Sequence, residues 1–121
     1  MEKEFINYSE ALALKELGFD ESCIGFWWNN KDFTEPEFLL EYCEHVMDGN
    51  LKRPLYQQAF RWFRDKYGIK TYVYEVLEER FVFITYTNQL DYKMSATYHP
   101  TYEEAELECL KKLISIVKKN K

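Results

Sequence analysis

The chain reads as a single α+β domain spanning residues 1–121, in which a small antiparallel sheet of three to four strands packs against an aromatic amphipathic helix and a long C-terminal helix. Three observations predict this class. Residues 54–68, PLYQQAFRWFRDKYG, space their large apolar side chains with helical period; residues 70–99 contain three runs rich in β-branched and aromatic side chains; residues 101–119 return to the helical period. A length of 121 residues suits one domain able to bury roughly two thirds of its unfolded surface. With 46% hydrophobic and 31% charged residues, the composition lies far from that of a disordered chain.

The elements follow in chain order. Ser9 is placed to cap a short helix from about Glu10 to Leu17, with Ala11, Leu14 and Leu17 inward and Glu10, Lys15 and Glu16 in water. Gly18 can end it in a left-handed conformation, and Phe19 can fold back on its last turn. CIGFWW, residues 23–28, reads as a strand, and Asn29-Asn30 as a turn. Residues 35–47 fit either period: Pro36 suits a first helical turn, whereas Phe38, Leu40 and Tyr42 alternate as on a strand, and the balance tips slightly to helix. LKR, residues 51–53, reads only as a lead into the aromatic helix.

Pro54 and Gly68 mark the two ends of that helix. Leu55, Tyr56, Ala59, Phe60, Trp62, Phe63 and Tyr67 fall within about 160° of arc, opposite Gln57, Gln58, Arg61, Arg64 and Asp65. This face is expected to be core, with Trp62 at its margin available to a partner. KTYVYEVL, RFVFITYT and YKMSATYH then form an antiparallel meander joined at Glu78-Glu79 and at NQLD, the last strand turning Tyr92, Met94, Ala96 and Tyr98 to a covered face. Thr101 and Glu104 have capping-box spacing, and Leu107, Leu110, Leu113, Ile114 and Val117 form the stripe of the final helix.

Charge divides unevenly. Residues 1–50 carry 12 acidic and 3 basic side chains, and residues 51–121, the helix-β-β-β-helix part, carry 9 and 13, for an overall charge of −5. Duplex nucleic acid wants a clustered positive stripe, so it is not an expected partner. The order helix, three strands, helix is that of the double-stranded RNA-binding domain, yet Glu103 and Glu104 stand where the last helix would need cations for phosphate. No run approaches the ~20 apolar residues of a membrane span, and MEKEFINYSE lacks a secretory pattern, so the expected location is the cytoplasm.

Catalytic signals are sparse. Cys23, Cys43 and Cys109 form no CxxC pair and read as buried thiols. His45 beside Glu41, Cys43 and Glu44 has no second histidine at ligand spacing, and His99 before Pro100 reads as a surface or capping-region residue. No glycine-rich phosphate loop or nucleophile motif is present, so neither an enzyme nor a cofactor or metal is expected.

LYQQAFRWFRDKYG followed by PTYEEAELECLKKLISIVK, with ALALKELGFDE near the start, resembles a recurrent set of segments in small proteins encoded by phages and prophages of Bacteroidales. No activity is assigned to that family. The resemblance implies a phage or mobile-element protein in a bacterial cytoplasm and transfers no site residue. The favoured expectation is a non-catalytic accessory protein that modulates a host or phage protein by contact through Trp27, Trp28 or Trp62, with self-association left open. The alternative is a domain that sequesters a small molecule or nucleotide between aromatic rings and Arg61 or Arg64, and a concave pocket of ~300 Å³ or more would favour it.

Overall fold

The computed structural model describes residues 4–21, 23–27, 37–43, 51–87, 92–94 and 97–119. Helices and strands are mixed in the order α1 (Tyr8–Glu16), β1 (Cys23–Trp27), β2 (Glu37–Cys43), β3 (Leu51–Arg53), α2 (Tyr56–Tyr67), β4 (Lys70–Leu77), β5 (Arg80–Tyr86), β6 (Tyr92–Met94) and α3 (Tyr102–Lys119). The strands divide into two antiparallel three-stranded sheets, ordered β2-β1-β3 and β4-β5-β6, where the sequence led us to expect one. The chain correspondingly separates into two compact units, Met1–Tyr56 and Gln57–Lys121.

In the first unit α1 begins two residues earlier than its sequence signals. Asn7 occupies the cap position without a side-chain hydrogen bond, and Ser9 instead donates to Glu10 Oε2 at 2.8 Å. Glu10 stays in the first turn, where the positive end of the helix dipole favours a carboxylate, but it is buried rather than hydrated. The other end follows the sequence: Gly18 has φ 99°, its N–H donates to Lys15 O, and Phe19 N–H reaches back to Leu14 O, both at 3.0 Å.

Residues 37–43 form a strand, which corrects the lean toward helix. Alternation of Phe38, Leu40 and Tyr42 prevails over the Pro36 signal, because β1 offers a ladder that pairs Phe26 with Glu37 and Cys23 with Cys43. The LKR segment is also a strand, β3, paired with the other edge of β1 and touching α1. Its Arg53 is buried: Nε donates to Ile6 O at 2.8 Å, and the guanidinium lies 5.5 Å from the centre of the Phe5 ring. A three-residue strand with a cation at a core position leaves little periodicity to detect.

In the second unit the aromatic face of α2 turns inward. Tyr56, Ala59, Phe60, Trp62 and Phe63 are buried, and Gln58, expected outside, is buried with them. Trp62 is 5% exposed, which corrects its placement as a marginal contact residue; its ring meets Phe63 edge-on at 5.0 Å and Tyr67 at 5.6 Å. Gly68 has φ 70°, and its N–H donates to Arg64 O at 3.0 Å, closing the helix as the sequence indicates. A Cβ there would meet no atom within 4 Å, so Gly68→Ala isolates the cost of the left-handed backbone. It is expected to lower unfolding free energy by about 1 kcal/mol, read from urea melts.

β4 and β5 form a hairpin whose turn places Glu79 at φ 60°. β6 is shorter than the expected strand, and His99 makes a separate two-hydrogen-bond bridge with Phe81 at 2.8 and 2.9 Å. Tyr98 is exposed rather than covered, its ring 5.8 Å from the Arg80 guanidinium. α3 packs on β4 and β5 through Ala105, Cys109, Leu110, Leu113, Ile114 and Val117. Its cap is the predicted one: Glu104 N–H donates to Thr101 Oγ1 at 3.1 Å.

Candidate functional site

The register of the β4-β5 hairpin assembles one side of a cleft in the second unit. An irregularity between Glu75 and Leu77 places Tyr86 opposite Lys70, so that Lys70, Tyr72 and Tyr86 share one face. The Tyr72 and Tyr86 rings stack at 5.9 Å with 15° between their planes, and Tyr86 Oη donates to Tyr72 Oη at 3.4 Å. Lys70 Nζ sits 5.9 Å from the centre of the Tyr86 ring.

α2 contributes the remaining part of the site from its polar side. Arg61 and Arg64, three residues apart and therefore neighbours on the helix surface, line a cleft of about 360 Å³ together with Gln57, Phe60, Lys70, Thr71, Tyr72 and Tyr86. Among the described residues, three cations and no carboxylate line this space. Arg64 Nε lies 3.7 Å from Asp65 Oδ1, but both side chains are exposed, and such a surface pair offers little competition to a ligand. Tyr86 is held above its ordinary pKa of 10.0, first by its hydrogen bond to Tyr72, so it is a neutral donor across the physiological range.

The cleft thus pairs positive charge with a tyrosine platform whose outer ring, Tyr72, is 60% exposed. Such a surface can accept an anionic group from the arginines and Lys70 and a planar ring on Tyr72. Of the candidates drawn from the sequence, Arg61 and Arg64 meet here; Trp62 faces the core. Trp27 lies on β1 with no described side-chain surroundings, and Trp28, like His45, lies outside the described residues. Lys70, Tyr72 and Tyr86 were not singled out from sequence, although the lysine and first tyrosine open β4 and the second closes β5.

Among the described residues the remaining reactive groups offer no second centre. The Cys109 thiol is pushed up to about 12, first by burial and then by the Glu106 charge, which keeps it a protonated core residue. Glu106 is itself buried and accepts a hydrogen bond from Gln57 Nε2 at 3.0 Å. Among the described residues no three His, Cys, Asp or Glu side chains gather as metal ligands, and no helix is long and apolar enough to cross a membrane. Comparison with protein families, curated proteins and solved structures finds no match to this chain.

Proposed function

We propose that this protein binds a small anionic ligand carrying an aromatic ring, of the nucleotide class, in the cleft between α2 and the β4-β5 hairpin. The observation that carries this reading is the convergence of Arg61, Arg64 and Lys70 beside the Tyr72–Tyr86 stack around about 360 Å³. That volume falls in the range of small-molecule sites. Phosphate oxygens would take charge-assisted hydrogen bonds from the guanidinium groups, and the base would lie on the outer face of Tyr72. Among the described residues no carboxylate, histidine or cysteine lines the space, which favours capture over turnover. A capturing protein also suits the phage accessory role that the sequence resemblance implies, with the bound metabolite rather than a host protein as its target.

The reading is tested by thermal-shift and equilibrium-dialysis measurements with nucleoside monophosphates, the matching nucleosides and inorganic phosphate. Monophosphates are expected to bind best, because only they engage both the cations and the ring platform. Arg61→Ala combined with Arg64→Ala should weaken binding at least tenfold while changing stability by no more than about 0.5 kcal/mol, since both side chains are exposed. Equal affinity of the double variant and the wild type would defeat the proposal.

A further inference from the structure

We propose that β4 is a self-association edge, on which a second copy of this chain adds its own β4 antiparallel across a two-fold axis to make a continuous six-stranded sheet. This association belongs to the ligand-free protein and does not depend on whether the cleft takes a nucleotide. Among the described residues seven large hydrophobic side chains are exposed, and four of them, Tyr72, Tyr74, Val76 and Leu77, belong to β4. That concentration lies on an edge strand: among the described residues β4 pairs only with β5. An exposed, proline-free strand edge of aromatic and β-branched residues is a template for another strand.

Charge selects the occupant. β4 begins at Lys70 and runs into an acidic end formed by Glu75, Glu78 and Glu79, all exposed apart from the half-buried Lys70. Antiparallel pairing with another β4 sets the cationic start of each strand beside the acidic end of the other, whereas a parallel arrangement would bring like charges together. A two-fold axis normal to the sheet keeps equivalent faces on the same side, so residues of equal parity oppose one another. An axis at Val73 then puts Tyr72 opposite Tyr74 of the second copy, an aromatic cross-strand pair on each side of the axis. The irregularity between Glu75 and Leu77 limits the ladder to its first residues, Lys70 to Glu75, so association is expected to be reversible rather than obligate.

Sedimentation equilibrium on the ligand-free protein tests this. The wild type is expected to pass from 14.7 kDa to twice that mass with rising concentration, and Tyr74→Lys, folded by circular dichroism, to remain monomeric. A wild type that stays monomeric up to ~1 mM would leave the edge to some other protein's strand and overturn the proposal. So would a Tyr74→Lys dimer as strong as the wild type.

Discussion

Phe63→Ala is expected to destabilise the protein by about 3–5 kcal/mol, the range for truncating a fully buried phenylalanine. Phe63 is 0% exposed; its ring meets Trp62 edge-on at 5.0 Å and lies 6.0 Å from Tyr67 at a tilt. Removing it costs the transfer of the ring and leaves a cavity that Trp62, already buried, cannot collapse to fill. Against a domain stability of about 5–15 kcal/mol this is a large fraction. The measurement is urea unfolding, with the midpoint falling at constant slope. A loss below about 1 kcal/mol would show that the aromatic face of α2 is not what holds the second unit together.

Alkaline conditions should expose the buried thiol of Cys109. In the folded chain it titrates near 12 against an ordinary 9.0, so the folded state keeps its proton where the unfolded state has lost it. The contribution is therefore fully present below pH 9 and is lost progressively between pH 9 and 12. Burial raises the Tyr102 hydroxyl above its usual 10.0 as well, with the Glu106 charge as the next cause, and this adds to the decline in the same direction. At pH 10.5 the thiol alone should have cost about 2 kcal/mol relative to pH 8. Urea melts of wild type and Cys109→Ala at the two pH values give the difference; parallel losses in the two proteins would contradict the burial of this thiol.

The second unit was legible where one signal dominated. Pro54 and Gly68 bracket α2, five aromatic side chains share one arc of it, and Thr101 caps α3, so both helices follow from local chemistry. Residues 37–43 were not legible, because a proline near a helix start and a period-two alternation compete there, and only pairing with β1 decides between them. Glu10 and Arg53 were missed for a related reason. Each is a charged residue whose burial no local pattern announces: Glu10 accepts from its neighbour Ser9 in a helix that starts early, and Arg53 donates to Ile6 O, distant in the chain.

The candidate site was half readable. Arg61 and Arg64 stand out as a cationic pair on the polar side of an aromatic helix. Their companions depend on register. A regular two-residue hairpin about Glu78-Glu79 would set Tyr86 opposite Thr71, away from Lys70 and Tyr72; the extra residue before Leu77 shifts the ladder and brings all three onto one face. One inserted residue thus decides whether a cleft with cations and a ring platform exists, and no local propensity announces it.

The most direct test is a titration of 15N-labelled protein with a nucleoside monophosphate, followed through backbone amide shifts. Saturable shifts are expected at Arg61, Arg64, Lys70, Thr71, Tyr72 and Tyr86, with the inward residues Ala59 and Phe63 little changed. Shifts confined to other segments, or a spectrum unaltered at millimolar ligand, would contradict the assignment of this cleft.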